Sequence, residues 1–310
     1  MDKSFEYIRV AAAVPSLKVA DPNYNVKEII ETVLKSAKNN IKVIVFPELC
    51  LTGYTCQDLF NQKTLTDECE NALAKLLLQT MDINIIAAVG MPVRAENKLF
   101  NCAVIIKEGK ILGAVPKIYL PNHGEFYENR WFSSPSAKVS DTLTLCGQET
   151  TFSENLLFMD NLSPLCIGID IGHDLWAAIP PSSYHTLHGA NIILNLSASS
   201  YTAGKSDYCK NLVKVQSAKC ISSYVYASAG QDESTTDIVY SGHSIIAENG
   251  EILKEDKLTG GSIIYSDIDL EKLTNDRVKC NTFIKSEKNY KYVSFNLGCN
   301  ENIKLERRVD

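Results

Sequence analysis

Three short segments carry side chains of the types that acyl-transfer chemistry needs, each at the end of an apolar run. Phe46-Pro47-Glu48-Leu49 closes the β-branched run Ile41 to Phe46. A carboxylate at the carboxyl end of a strand is where α/β folds gather catalytic groups, and it also serves there as a turn or helix cap. Val115-Pro116-Lys117-Ile118-Tyr119-Leu120 ends the second arm of a hairpin. A lysine so placed can stabilise an oxyanion or stay solvated. Gly168-Ile169-Asp170-Ile171-Gly172-His173-Asp174-Leu175-Trp176 is a strand-to-turn junction of the kind that presents a nucleophile, yet its turn holds neither Ser nor Cys. Cys166 lies six residues before His173's neighbour Gly172, inside the strand, where a thiol packs as an inert apolar group.

Metal and phosphate motifs are weaker. The five histidines (123, 173, 185, 188 and 243) include no i, i+4 pair, although His185 and His188 could share a helix face. No Gly-rich dinucleotide or phosphate loop occurs, and Thr259-Gly260-Gly261-Ser262 reads as a turn before a strand. No metal site is expected.

These segments need a scaffold of alternating strands and helices. Strands are expected at Tyr7 to Val14, Ile41 to Phe46, Asn84 to Gly90, Leu162 to Ile171, Asn191 to Leu196, Tyr224 to Ala229 and Ser262 to Ser266. Apolar residues at helical spacing mark Val26 to Ser36, Thr66 to Thr80, Ile179 to Leu187 and Lys205 to Cys220. Hairpins follow from Cys102–Ile106 with Ile111–Val115, and from Ser244–Ala247 with Glu251–Leu253, each around a Gly-containing turn. Alternation interrupted by hairpins argues for an α/β fold with mixed sheets and helices outside, an α-β-β-α sandwich. Pro121 to Glu154 is too long for a plain connection and reads as a functional loop. The tail after Asn281 reads as polar and irregular.

Composition narrows the class. The chain has 310 residues, 45% of them hydrophobic, and a formal net charge of -6, with no basic run longer than Arg307-Arg308. That balance argues against a nucleic-acid partner, which needs clustered Lys and Arg. No segment reaches the roughly 20 apolar residues of a membrane helix, and the start lacks a signal-peptide pattern. A cytoplasmic protein is expected. The ten cysteines form no C-x-x-C pair and are expected to be reduced and mostly buried.

Taken together the three segments resemble the carbon–nitrogen hydrolase (nitrilase) superfamily, whose members place a Glu, a Lys and a Cys on successive strand ends. Longer stretches are similar to the glutaminase domain of glutamine-dependent NAD synthetases: Phe46 through Phe60, Val115 through Asn122, Gly124 through Phe132, and Asn195-Leu196-Ser197-Ala198-Ser199. The likeness runs from about residue 7 to about 295. It implies a nitrilase-like sandwich with Glu48 as general base, Lys117 as oxyanion stabiliser and Glu128 (or else Glu125) as the carboxylate that orients the lysine. It places His123, Phe126, His173, Trp176, Ser199 and Lys205 around a pocket for glutamine or a related small amide. It further implies a homo-oligomer and an NAD synthetase domain or subunit as partner. ATP and Mg would belong to that synthetase domain, with no cofactor in this chain. Residues 1–295 would form the domain, and 296–310 a polar tail or the start of a linker to an absent synthetase domain.

The chain departs from the family pattern at three positions. Gly172 stands where the nucleophilic Cys is expected, His173 where a carboxylate follows it, and His123 where a tyrosine is usual. Glycine cannot form a thioester, and loss of a nucleophile costs several orders of magnitude in rate. The sequence therefore supports a glutaminase-type domain without its nucleophile, or a pseudo-glutaminase that serves as a scaffold or regulatory binding subunit. Cys166 or a Glu48-activated water is the remaining alternative nucleophile.

Overall fold

The computed structural model describes residues 6–257, 262–298 and 304–307; Thr259-Gly260-Gly261, Arg308 and much of the 296–310 tail fall outside them. In chain order the elements are β1 (Tyr7–Val14), α1 (Pro22–Lys38), β2 (Val43–Val45), α2 (Lys63–Gln79), β3 (Ile86–Ala95), β4 (Lys98–Lys107) and β5 (Lys110–Pro116). A small hairpin follows, β6 (Thr142–Leu145) and β7 (Gln148–Thr151). Then come β8 (Leu156–Asp160), β9 (Cys166–Ile171), α3 (Pro181–Leu187), β10 (Ile192–Ser197), α4 (Lys205–Lys219), β11 (Ser223–Ser228), β12 (Ser244–Glu248), β13 (Glu251–Asp256), β14 (Ser262–Asp269), α5 (Leu270–Lys279) and β15 (Lys291–Phe295).

Two mixed sheets result, ordered β14-β1-β2-β3-β4-β5 and β13-β12-β11-β10-β9-β8-β15. In the first, β1, β2 and β3 run parallel; in the second, β9, β10 and β11 do. Side-chain alternation shows why the sheets stack. Val10 and Ala12 of β1 and Val43 and Val45 of β2 meet Ile192, Leu194 and Leu196 of β10 in one apolar layer. The intervening Ala11, Ala13 and Ile44 face Ile29, Val33, Leu73 and Leu76 of α1 and α2. On the far side Ile193 packs with Val213 and Cys209 of α4. Both faces of each central strand are thus buried, which gives the α-β-β-α layering and explains the near-continuous apolar runs.

Several sequence expectations are corrected. The segment after Asn281 is not irregular throughout: β15 pairs parallel with β8 at the sheet edge. The expected strand Leu162 to Ile171 is shorter, and β8 precedes it across a turn. The Pro121 to Glu154 loop contains the β6–β7 hairpin. Among the described residues no helix is long and apolar enough to cross a membrane.

Candidate active site

The chemistry-bearing residues converge where strands of both sheets end. Glu48 follows β2, Lys117 follows β5, Gly172 follows β9 and Ser197 ends β10. The Glu48 amide donates to Ser197 O at 3.2 Å, joining the two sheets at this point. The Glu48 turn is tight: Leu49 adopts φ +53, and Gly90 of β3 lies so close that a Cβ there would come within 2.3 Å of Leu49 N and 2.6 Å of Pro47 O. Only glycine permits that approach.

Lys117 Nζ sits 2.6 Å from Glu48 Oε1 and 2.6 Å from Glu128 Oε1, and all three side chains are almost wholly buried. Asn101 Nδ2 also donates to Glu48 Oε1, at 2.6 Å, and the Tyr54 hydroxyl donates to Glu128 Oε1 at 2.7 Å. Burial drives the Glu48 carboxyl up to about 7, with Lys117 and Asn101 opposing the rise and Glu128 adding to it. For Lys117, burial favours the neutral amine, but the two carboxylates outweigh it and hold the ammonium well above the usual lysine range. The lysine therefore stays charged, with two of its three protons committed.

Of the two glutamates considered beside Lys117, the one in contact is Glu128, the one that the resemblance favoured. Glu125 instead accepts from Ser200 Oγ at 3.1 Å. Its pKa is lowered by its own backbone amide, by Ser200 and by nearby Lys205.

Gly172 begins a short helical turn, Gly172–Trp176, at φ +49, in the left-handed region. A Cβ at this position would lie 2.2 Å from Glu48 Oε2 and 3.0 Å from Lys117 Nζ. A side chain here requires the carboxylate to withdraw and a backbone conformation that costs a non-glycine residue about 1–2 kcal/mol. Asp174 holds the turn. Its Oδ1 accepts from Tyr119 N at 2.9 Å and its Oδ2 from Ile171 N at 3.0 Å. Burial, then Asp170, push its carboxyl up to about 8.

A cavity of about 220 Å³ opens beside this cluster. Glu48, Lys117, Glu128 and Gly172 contribute to its wall, as do His123, Phe126, His173, Trp176, Ser199 and Lys205. All ten sequence-nominated positions thus border one space. The His123 and His173 rings meet edge to face at 5.3 Å, and His173 stacks near Trp176 at 6.3 Å between centroids. Burial, then Lys117, lower the His173 pKa to about 4, so its imidazole is neutral near pH 7. Lys205 Nζ lies over the Phe126 and Trp176 rings, 5.6 and 5.4 Å from their centroids, and bonds Ser200 Oγ.

Sequence reasoning missed Tyr54, Asn101 and the tethering role of Asp174. Tyr54 lies in the segment leaving the Glu48 turn, a signal that was available. Asn101 is a polar residue inside the apolar run of β4, the kind of buried polar position that wants a partner. His185 lies in α3 but His188 caps its end, so the two do not share a helix face; His185 Nε2 pairs with Ile169 O and His188 Nε2 with Ser286 Oγ. Among the described residues no group of His, Cys, Asp and Glu is arranged to hold a metal ion. Cys166 is buried with its thiol pushed up to about 12 by burial, and it does not border the cavity.

Comparison with known proteins agrees with this arrangement. Residues 9–278 match the carbon-nitrogen hydrolase family. The glutamine-dependent NAD(+) synthetase of Mycobacterium tuberculosis is 34% identical over 288 residues, covering 92% of this chain and 42% of that protein. The corresponding protein of Thermotoga maritima is 29% identical over 269 residues, covering 86% and 42%. The chain therefore spans less than half the length of these curated relatives. Among solved structures, a glutamine-dependent NAD(+) synthetase from Cytophaga hutchinsonii superposes with a TM-score of 0.75 at 28% identity, over 84% of this chain and 43% of that one. An amidase from Nesterenkonia sp. shares the fold, with a TM-score of 0.66 at 16% identity, over 89% and 95%. With two helix-flanked mixed sheets and Glu48, Lys117 and the Gly172 turn gathered at their strand ends, this chain belongs to the carbon–nitrogen hydrolase family.

Proposed function

We propose that this chain is a glutaminase-type domain of glutamine-dependent NAD biosynthesis, that its pocket takes glutamine or a related linear amide, and that Gly172 occupies the nucleophile's position. The observation that carries this reading is the buried Glu48–Lys117–Glu128 cluster packed directly against Gly172 at the edge of the cavity. A primary amide needs a donor for its carbonyl and an acceptor for its nitrogen. Lys117 keeps one uncommitted proton, and Glu48 Oε2 accepts no hydrogen bond among the described residues. Lys205 and Glu125, nearer solvent, supply one charge of each sign for an amino acid's α-carboxylate and α-ammonium groups. Residues 1–295 form this domain, and a synthetase domain or subunit that uses ATP and Mg is its partner. We place it in the cytoplasm as a homo-oligomer.

A second reading follows from the same glycine. A pocket that binds an amide without cleaving it suits a pseudo-glutaminase, serving as a scaffold or a regulatory subunit. Titration calorimetry with L-glutamine tests the binding that both readings share. Saturable binding that weakens on Lys205→Met is expected; no heat at millimolar glutamine overturns the pocket assignment.

A further inference from the structure

The glycine that removes a thiol also leaves a base and an oxyanion donor facing one point. Glu48 Oε2 stands 2.2 Å from where a side chain at 172 would begin, and Lys117 Nζ stands 3.0 Å from it. Glu48 Oε1 is committed to Lys117 and Asn101, whereas Oε2 has no hydrogen-bond partner among the described residues and its carboxylate borders the cavity. We propose that this chain hydrolyses short straight-chain acyl esters in one step, with Glu48 Oε2 drawing a proton from a cavity water that attacks the acyl carbon. The proposal rests on the pocket assignment above and adds to it an activity that needs no covalent intermediate.

The step balances without a further reactant. The water oxygen forms the new bond to the acyl carbon as its proton passes to Glu48. The carbonyl electrons are held by the free Lys117 N–H. Collapse breaks the bond to the leaving oxygen, which either takes the proton back from Glu48 or departs as a phenolate, Glu48 then releasing its proton to solvent water. An ester fits this device better than an amide, because an amine must be protonated before it can leave. The water-accessible space of about 220 Å³ suits acyl chains of a few carbons.

The experiment is hydrolysis of p-nitrophenyl acetate and butyrate by the unaltered chain, followed as p-nitrophenolate. Expected are linear progress curves with no burst, a rate at least ten-fold above that of Glu48→Gln, and no loss after thiol alkylation under native conditions. The titratable groups that face Glu48 and the cavity are Tyr54, Lys117, Glu128, His123, His173, Glu125 and Lys205. A single rise in rate through about pH 7, followed at the isosbestic wavelength of p-nitrophenol and its anion and still present in His123→Gln and in His173→Gln, assigns the base to Glu48 even if Glu48→Gln fails to fold. A burst equal to the protein concentration, a Glu48→Gln rate matching the parent, or a rate no faster than buffer overturns the proposal. Glutamine calorimetry separates the two failures: binding without esterase activity leaves the pocket assignment standing, and absent binding removes both.

Discussion

The backbone amide of Tyr119 donates to Asp174 Oδ1 at 2.9 Å, and this bond ties the segment carrying Lys117 to the turn that begins at Gly172. The other oxygen of Asp174 holds Ile171 N at 3.0 Å, so one buried carboxylate fixes two of the strand ends that build the site. Asp174→Ala leaves the buried Ile171 N–H and the part-buried Tyr119 N–H without an acceptor and should cost about 2–4 kcal/mol, about 1–3 kcal/mol for the buried group and about 1 kcal/mol for the other. Asp174→Asn keeps one acceptor and should cost less. Urea unfolding of the three proteins checks both, and equal stabilities would show that the tether is dispensable.

Gly90 sets the position of Glu48 from behind. A methyl group there meets backbone atoms of Pro47, Glu48 and Leu49, which cannot swing aside as a side-chain end can. Gly90→Ala should therefore lower stability by on the order of 3 kcal/mol, toward the upper end of the usual overpacking cost. It should also weaken glutamine binding through displacement of Glu48. A variant with parental stability and affinity would mean that the turn has slack that the close approach denies.

The pH dependence contributed by His173 has a definite sign. Its pKa falls from 6.5 to about 4 in the fold, chiefly by burial and then through Lys117. Between those values the unfolded chain takes up a proton that the folded chain refuses, so this residue's contribution to stability declines as pH drops from 6.5 toward 4. His173→Gln removes that decline. The variant's unfolding free energy should gain on the parent's across this window and run parallel to it above pH 7. A difference that does not vary with pH would place His173 in a more solvated setting.

Much of the site was legible because strand ends are marked in sequence by where an apolar run stops. Glu48, Lys117 and Gly172 each follow such a stop. The central strands were legible for the same reason, being buried on both faces. The edge was not: in β15, Lys291, Tyr292 and Ser294 are exposed and only Phe295 is fully buried, so the apolar pattern is faint. Glu128 was preferred over Glu125 on the family resemblance alone, because the loop path that brings it to Lys117 is encoded in no periodicity. Asp174 was visible as an acidic residue in a turn, but its two backbone partners lie on different segments, one of them 55 positions away.

On the function proposed above, the pocket retains its base and oxyanion donor while Gly172 stands in the nucleophile's place. Ammonia release from L-glutamine, measured side by side for the unaltered chain and for Gly172→Cys, tests it most directly. Release by Gly172→Cys should be at least about 10³-fold faster, since a lost nucleophile costs that much or more. Equal rates for the two proteins, whether both fast or both at background, would contradict it.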